Sequence, residues 1–307
     1  MTTTQIAQSA QPSMSGRVWG LLFLLGAIWG GSFFFAKIAV QEINPIALVL
    51  ERVAIAAIAL QLYLALSGQS FAPAFARAPQ FLLLALLNNV IPFSLIFLGQ
   101  TQMGAGLAAV LNATTPVWTL IVAALLTSDE KLSWNKIAGI VSGIVGTAVM
   151  IGPGVIAGLG GPVWAKFALV GAALSYAFAL VYSRRAFTGM KPQIIATGQL
   201  TAATVIMLPI VLILYGAHSL TAGSPHVWAA VAALALLSTA FAYIIYFRIV
   251  AEAGATNASL VTLIVPVFAM LLGVAFLGET LEFFEMIGMA LIGLGLVLID
   301  GRLFKRA

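Results

Sequence analysis

Residues 104–130 read GAGLAAVLNATTPVWTLIVAALLTSDE, and residues 254–279 repeat the pattern as GATNASLVTLIVPVFAMLLGVAFLGE. Each copy opens at a glycine, continues as apolar sequence with a proline near its middle, and ends at a glutamate. Two interrupted apolar segments at corresponding places in two halves of a chain point to the substrate site of a transporter. The matched positions are Gly104 with Gly254, Pro116 with Pro266, and Glu130 with Glu279.

The composition is that of a membrane protein. Of the 307 residues, 62% are apolar and only 7% are charged, whereas soluble domains carry about 25% charged residues. The net charge is +5. In a membrane protein such an excess of Lys and Arg sets the orientation and does not indicate nucleic-acid binding. The chain has no cysteine, which excludes disulfides and thiol chemistry.

Ten apolar segments are long enough for a helix that crosses a bilayer, which takes roughly 20 residues. Turn signals such as Asn44-Pro45 and Ser224-Pro225 separate the segments, and no connecting loop is long enough to fold as a soluble domain. The spans are predicted at 18–38, 45–66, 79–98, 104–127, 134–152, 163–184, 193–215, 226–248, 256–277 and 283–300.

The repeat extends over the whole chain. At a spacing of 147 residues Trp29 matches Tyr176, and Arg52 matches Gln199. Each copy holds an odd number of spans, so the second copy must enter the membrane upside down. We therefore predict an all-α integral membrane protein whose ten transmembrane helices form two inverted five-helix repeats around a central cavity. The predicted regions are a disordered cytoplasmic tail at 1–16, the first repeat at 17–152, a linker at 153–162, the second repeat at 163–301 and a basic cytoplasmic tail at 302–307.

Basic residues at the helix ends predict the orientation. With the amino terminus in the cytoplasm, eleven Lys and Arg residues fall on the cytoplasmic side and only Lys37 and Lys166 on the other. This bias follows the positive-inside rule and places both termini in the cytoplasm. We expect a multi-pass protein of the inner membrane.

Catalysis is poorly supported by the residues present. The two histidines, His218 and His226, fall in one predicted loop, and no pair of carboxylates within the spans is placed for acid–base or metal chemistry. The glycine-rich run at 152–161 lacks the Lys-Ser/Thr that completes a phosphate-binding loop. We therefore predict no enzyme, no cofactor, no metal site and no nucleotide-driven pump.

Two charged side chains, Glu51 and Arg52, fall within the second span. Each costs several kcal/mol in a bilayer unless it is paired or hydrated. Neighbouring residues of a helix point about 100° apart, so the two do not face each other. Either they belong to a structural ion-pair arrangement near the interface, or one of them meets a zwitterionic substrate or, for Glu51, carries a proton.

Uncharged polar groups and aromatic rings within the spans are the remaining candidates for a substrate cavity. Ser and Thr often bond only to their own helix, whereas the amides of Asn and Gln need partners elsewhere. Trp29 and Tyr176 sit in the middle of spans at matched positions with an N–H or O–H to satisfy. The predicted cavity residues are Trp29, Ser32, Phe33, Asn88, Asn89, Asn112, Tyr176, Gln199 and Tyr243.

The repeated prolines predict a gate. Pro116 and Pro266 each remove a backbone donor at a matched place, which favours a bend shared by both copies. Such a bend is a candidate hinge, together with the glycines that open the two copies, Gly104 and Gly254. The alternative is a passive kink.

The chain resembles the EamA-type family of the drug/metabolite transporter superfamily, over essentially its whole length. The resemblance implies a ten-helix carrier with inverted repeats, a central cavity formed by helices 1–4 and 6–9, and export of amino acids or other metabolites. Within the family the chain looks most like the aromatic amino-acid exporters of the YddG type. The residues on which the resemblance rests are Trp29-Gly30-Gly31-Ser32-Phe33-Phe34, Arg52, Gly104 to Pro116 with Glu130, Tyr176-Ala177, Gly254 to Pro266, and Leu277-Gly278-Glu279.

These observations predict a secondary transporter that exports small amphipathic metabolites, above all aromatic amino acids, by alternating access. The expected partners are a small-molecule substrate and the lipid bilayer, without nucleic acid, in a monomer or a homodimer. The first span lacks the glutamate that multidrug members of the superfamily use for proton coupling, which argues against proton antiport unless Glu51 substitutes for it. The alternatives are export of other metabolites or drugs, an intramembrane enzyme and a channel-like pore.

Overall fold

The computed structural model describes residues 15–126, 133–157, 162–221, 223–253, 258 and 260–300. Within these ranges the chain is helical, with no β-strand. Seven of the helices in these ranges are long and apolar enough to cross a membrane, and Ile264–Leu277 and Phe283–Ile299 are shorter apolar helices. The helices are α1 Gly16–Ala39, α2 Pro45–Leu66, α3 Ala78–Gln100, α4 Ala105–Leu126, α5 Trp134–Ala157, α6 Val163–Ala186, α7 Pro192–Tyr215, α8 Pro225–Ala253, α9 Val261–Leu277 and α10 Phe283–Asp300. The prediction of an all-α membrane protein is confirmed.

Capping residues that the sequence offers as turn signals fix several helix starts. Ser15 accepts a hydrogen bond from the backbone N–H of Val18 at the start of α1, and Asn44 caps α2 ahead of Pro45. Ser224 caps α8 in the same way, with proline at the next position. Proline suits this place because the first N–H of a helix has no partner within the helix.

The bundle is held together mainly by six helix pairs: α5 with α10, α1 with α9, α1 with α8, α2 with α7, α3 with α6, and α4 with α6. In the first pair the backbones approach closely at glycines. A Cβ added at Gly295 would lie 2.7 Å from the carbonyl oxygen of Gly139 and 2.9 Å from the backbone nitrogen of Gly143. Small residues of this kind allow membrane helices to pack at short range.

Gly295→Val is therefore expected to destabilise the protein, because the new side chain would force α5 and α10 apart. The expected loss is about 1–3 kcal/mol, seen as a lower midpoint of thermal unfolding in detergent. Gly293→Val is the matched control, since nothing lies within 4 Å of a Cβ added there. An equal fall in both variants would contradict the close-packing interpretation.

The structure differs from the predicted region boundaries at two places. Helix α1 begins at Gly16, so Ser15 and Gly16, assigned to the terminal tail, belong to the capped helix start. Helix α5 continues through Gly152-Pro153-Gly154 to Ala157, where the sequence predicts a linker. A membrane helix keeps its backbone hydrogen bonds where a soluble chain would turn, because lipid offers no alternative partners. The remainder of both predicted tails and residues 158–161 of the linker lie outside the described residues.

The two prolines of the repeated stretch sit differently in the structure. Helix α4 is interrupted at Ala113 and Thr114, and Pro116 is the second residue of its second part, which begins at Thr115. The missing proline N–H leaves the Asn112 carbonyl without its helical partner, and the Thr115 hydroxyl donates to that carbonyl at 2.6 Å. Pro266 instead lies within the uninterrupted helix α9. The helix is therefore interrupted next to Pro116 and continuous at Pro266, the hinge shared by both copies stays a prediction, and Gly254 lies outside the described residues.

Candidate functional site

Helices α3 and α8 each contain a π-helical segment, at Leu86–Val90 and Ala233–Phe241. The first carries Asn88-Asn89 and the second carries Ser238-Thr239, 150 residues later. A π-helical turn widens the helix by one residue, and such turns frequently mark functional sites. Both segments therefore present adjacent polar residues at matched places of the two halves.

Buried serines fasten both π-helical segments to neighbouring helices. Ser175 on α6 donates to the Leu87 carbonyl of the first segment at 2.7 Å. Ser238 in the second segment donates to the Ile28 carbonyl of α1 at 2.9 Å. These bonds satisfy polar groups that would otherwise be unpaired in an apolar interior, and they fix the two segments at the α3–α6 and α1–α8 contacts.

A side-chain network joins three helices at the first segment. Asn88 Nδ2 on α3 donates to Gln199 Oε1 on α7 at 2.8 Å, and Gln199 Nε2 donates to the Tyr243 hydroxyl on α8 at 3.2 Å. Asn89 lies beside the same hydroxyl and is fully buried. Neither of its side-chain polar atoms makes a hydrogen bond of standard geometry with a described residue. The network therefore holds unused hydrogen-bonding capacity.

Arg52 on α2 is the charged member of this cluster. Its side chain is 7% exposed, and its Nε donates to the Thr239 hydroxyl at 3.0 Å. The guanidinium carbon lies 3.8 Å from the centre of the Phe93 ring, which is a cation–π contact. Tyr176 and Tyr243 lie within electrostatic reach of the same group. Arg52 thus links Thr239 of α8 to the Phe93 ring of α3.

Glu51 does not pair with Arg52. Both of its carboxylate oxygens are buried, without a hydrogen-bond partner among the described residues. The ion pairs within the described ranges connect Glu252 with Arg17 and Arg248 instead. The two neighbours face different ways, as the helix geometry predicts, and the structural ion-pair arrangement is not seen for them.

A cavity of about 340 Å³ leads to this cluster. The cavity opens at the end of the bundle where α6 ends and α7 begins. This end of the bundle is called the Arg184 end. The volume lies within the usual range of small-molecule sites, about 300–1,000 Å³. It is lined by Asn88, Gln199 and Tyr243 at one side and by aromatic and aliphatic side chains elsewhere, so an amphipathic molecule suits it. The remaining lining residues are Leu84, Ala179, Leu180, Ser183, Arg184, Phe187, Pro192, Ile195, Ala196, Tyr246 and Phe247.

The opposite end of the bundle, where α4 begins and α9 ends, is called here the Glu279 end. Gly278 closes α9 at a φ of 64°, a left-handed conformation that favours glycine, and turns the chain so that the Glu279 N–H bonds the Gly273 carbonyl at 3.1 Å. The Glu279 carboxylate then accepts the backbone N–H groups of Ala105 at 2.5 Å and Gly106 at 3.0 Å. An acidic side chain at a helix start is stabilised by the helix dipole. Glu279 therefore ties the end of α9 to the start of α4.

Glycines make room for this contact. A Cβ added at Gly104 or Gly273 would overlap the Glu279 carboxylate. Lys37 on α1 donates to the Gln100 carbonyl at 2.8 Å and lies within electrostatic reach of Glu279. A second cavity, of about 570 Å³, lies at this end and is lined by Lys37, Gly104, Leu107, Glu279 and their neighbours.

The structure brings six of the predicted residues into one cluster and leaves others apart. Trp29 adjoins the cluster indirectly, with its ring 5.6 Å from that of Tyr246, a cavity residue. Ser32 and Phe33 are buried in α1 and make no hydrogen bond or ring contact with the cluster in the described part of the chain. Asn112 lies at the interruption of α4, with its buried Oδ1 unpartnered among the described residues. The clustered residues are Arg52, Asn88, Asn89, Tyr176, Gln199 and Tyr243.

Sequence reasoning missed Thr239, Phe93 and the contact role of Glu279. The repeat itself held a signal for Thr239, because it stands 150 residues after Asn89. Glu279 closes the repeated stretch directly after a glycine, which is the signal of a helix end. Phe93 had no signal beyond its aromatic type, since its position under Arg52 depends on how α2 and α3 pack.

The family profile that matches the chain is described as the EamA-like transporter family, and it matches twice, at residues 17–152 and 163–300. An uncharacterized inner membrane transporter of Escherichia coli (strain K12), YedA, is 29% identical over 288 residues, covering 92% of this chain and 90% of the relative. A probable terminal-alkyne amino-acid exporter of Streptantibioticus cattleyicolor is 25% identical over 293 residues, covering 95% and 96%.

A protein of known crystal structure shares the fold. It superposes with a TM-score of 0.65 over 93% of this chain and 99% of the other, at 19% sequence identity. The likeness at this identity concerns the fold alone. Together with the profile matches over both halves, it agrees with a multi-pass membrane protein of transporter architecture.

Proposed function

The chain belongs to the EamA-like transporter family, and from that premise we propose that it is a secondary transporter that exports amino acids with aromatic or other apolar side chains by alternating access. The observation that carries the proposal is the polar cluster of Arg52, Asn88, Gln199 and Tyr243 beside a 340 Å³ cavity that opens at one end of the bundle. A carrier needs such a site, reachable from one side at a time.

Two inverted five-helix repeats are part of this proposal, and the packing supports them. In two five-helix repeats, each helix corresponds to the helix numbered five higher or five lower. Under this correspondence the α1–α9 contact becomes the α6–α4 contact, and the α2–α7 and α5–α10 contacts each map onto themselves. The polar pairs follow the same rule. Arg52 on α2 bonds the second π-helical segment, and its counterpart Gln199 on α7 bonds the first. A site shared by both repeats is the arrangement of inverted-repeat carriers.

The two ends of the bundle differ as alternating access requires. The Arg184 end has the cavity that leads to the polar cluster, whereas at the Glu279 end the carboxylate ties α4 to α9. By the positive-inside rule the Arg184 end faces the cytoplasm, because Arg184, Arg185 and Lys191 are found there. We therefore infer an inward-facing state with both termini in the cytoplasm.

The lining supports amino acids as the substrate class. Tyr246, Phe247 and Phe187 provide aromatic surface, and the amide side chains of Asn88 and Gln199 provide the polar contacts. The Streptantibioticus relative is named as a probable exporter of a terminal-alkyne amino acid, which is an amino acid with an apolar side chain. Export of other metabolites or drugs is the alternative that a substrate panel separates.

Counterflow in proteoliposomes tests the function. Purified protein is expected to take up labelled phenylalanine or tryptophan faster than protein-free liposomes, and uptake should rise when unlabelled substrate is present on the far side. A channel-like pore shows no such stimulation, and an intramembrane enzyme would yield a changed product. Absence of flux for amino acids of every side-chain class would contradict the proposal. Proton coupling is tested by repeating the assay across a pH gradient with the wild type and with Glu51→Gln.

A further inference from the structure

Arg52 is buried without an acidic partner among the described residues. Its side chain is 7% exposed, and the adjacent Glu51 does not contact it. An isolated guanidinium costs several kcal/mol in a bilayer interior. A charge that persists at such a place commonly belongs to a substrate or ion pathway, so the neutralising partner is to be sought in a ligand.

The surroundings of Arg52 fix its plane. The Thr239 hydroxyl donates to the Leu234 carbonyl at 2.9 Å, and so its oxygen is free to accept from Arg52 Nε at 3.0 Å. The Phe93 ring lies against the guanidinium at 3.8 Å, and Phe97 lies 5.8 Å away. One hydrogen bond and one cation–π contact thus hold the group in place.

The outer edge of the guanidinium remains unused. The two Nη atoms donate to none of the described residues, yet they are not among the fully enclosed polar atoms that lack a partner. Each of these nitrogens therefore keeps some accessible surface, although the residue as a whole is nearly buried. Two parallel N–H donors on a planar group match the two oxygens of a carboxylate, which is the pairing for which arginine is suited and lysine is not.

A second buried polar group, Asn89, lies beside the Tyr243 hydroxyl. Asn89 is 0% exposed, and its Nδ2 and Oδ1 make no hydrogen bond of standard geometry with a described residue. It lies beside the Tyr243 hydroxyl, which in turn lies within electrostatic reach of Arg52 and lines the cavity. An amide oxygen accepts a hydrogen bond from an ammonium group, so the two ends of a zwitterion find complementary groups around Tyr243.

We propose that the Nη edge of Arg52 binds the carboxylate of the transported molecule, with Asn89 beside Tyr243 accepting its ammonium group, so that the carrier selects zwitterionic α-amino acids over amines without a carboxylate. This rests on the proposed transport function and specifies its substrate class. Thr239 acts as a positioning residue, because it contacts Arg52 Nε and leaves the Nη atoms for the substrate.

Competition in the counterflow assay tests the proposal. L-phenylalaninamide and phenethylamine, which lack the carboxylate, are expected to compete with labelled L-phenylalanine at least about 100-fold more weakly than L-phenylalanine itself, because a site built for a polar group rejects its absence strongly. In Arg52→Lys, which keeps the charge and loses the planar pair of donors, the apparent affinity for L-phenylalanine should fall roughly 10- to 100-fold. Affinity for the amide should stay unchanged, so that selectivity collapses.

Controls separate this outcome from general damage. Arg248→Lys changes an exposed arginine that pairs with Glu252 at 3.2 Å, and it should keep the wild-type selectivity. Thr239→Val keeps Arg52 and removes its anchor, so it should raise the apparent KM for L-phenylalanine with little change in maximal rate. If L-phenylalanine and L-phenylalaninamide competed equally well with labelled L-phenylalanine in the wild type, the proposed role of Arg52 would be wrong. The proposed transport function would not be affected by that result. Absence of all amino-acid flux would refute the proposed transport of amino acids, and with it this role.

Discussion

Glu279→Gln is expected to lower exchange of substrate about 10-fold while leaving substrate affinity near that of the wild type. The carboxylate accepts two backbone N–H groups at the start of α4, at 2.5 and 3.0 Å. Hydrogen bonds to a charged group contribute about 1.5–3 kcal/mol each, and the helix dipole adds roughly 0.3–1 kcal/mol. A glutamine keeps one acceptor oxygen and loses the charge, so about 1.5 kcal/mol of the closure should disappear. This corresponds to a shift of roughly 10-fold between the two states of the carrier.

The shift can be measured directly because the natural chain has no cysteine. A single cysteine introduced as Leu107→Cys lies in the cavity at the Glu279 end. Its reaction with a membrane-impermeant maleimide should be faster in Glu279→Gln than in the otherwise unchanged protein. Glu282→Gln removes the same charge from the same cavity without breaking the α4–α9 contact, and it should leave labelling unchanged. Equal labelling in all three proteins would show that Glu279 does not hold this end closed.

The apolar spans could be predicted from the sequence because their physical cause is local. A run of about 20 apolar residues between polar turns has few alternatives to a membrane helix. Capping pairs such as Asn44-Pro45 and Ser224-Pro225 mark helix starts in lipid as they do in water. The same logic failed at Pro153, where a turn signal of soluble proteins lies inside α5. In a bilayer the loss of several backbone hydrogen bonds outweighs the local preference of glycine and proline for turns.

The candidate site was predictable only in part, because its geometry depends on packing between helices. Buried amide groups need hydrogen-bond partners, and for this reason the sequence predicted Asn88 and Gln199 as cavity residues. In the structure the two side chains are hydrogen-bonded to each other. No local pattern reveals that the helix widens at Leu86–Val90, since a π-helical turn has no simple sequence rule and its register follows from neighbouring helices. The partner of Arg52, Thr239, belongs to the other half of the chain, 187 residues away, and no local pattern connects the two positions.

Gln199→Leu is expected to reduce transport of phenylalanine at least about 10-fold. Gln199 is 4% exposed and holds both the Asn88 amide at 2.8 Å and the Tyr243 hydroxyl at 3.2 Å. Leucine fills a similar volume and leaves both groups without a partner. A polar group left unsatisfied costs about 1–3 kcal/mol. Asn88 and Tyr243 would lower this cost by turning away from the positions in which they meet a substrate.

The matched control for this change is Gln61→Leu. Gln61 on α2 also makes a side-chain hydrogen bond across helices, to Thr201 at 2.9 Å, but it is exposed and remote from the cavity lining. Its variant should transport at the wild-type rate, because lipid-facing or solvated polar contacts contribute little to the bundle interior. If both leucine variants kept full activity, the network of Asn88, Gln199 and Tyr243 would be structural only. If both lost activity together with thermal stability, the effect of Gln199 would reflect the folding of α7 and not the binding of a substrate.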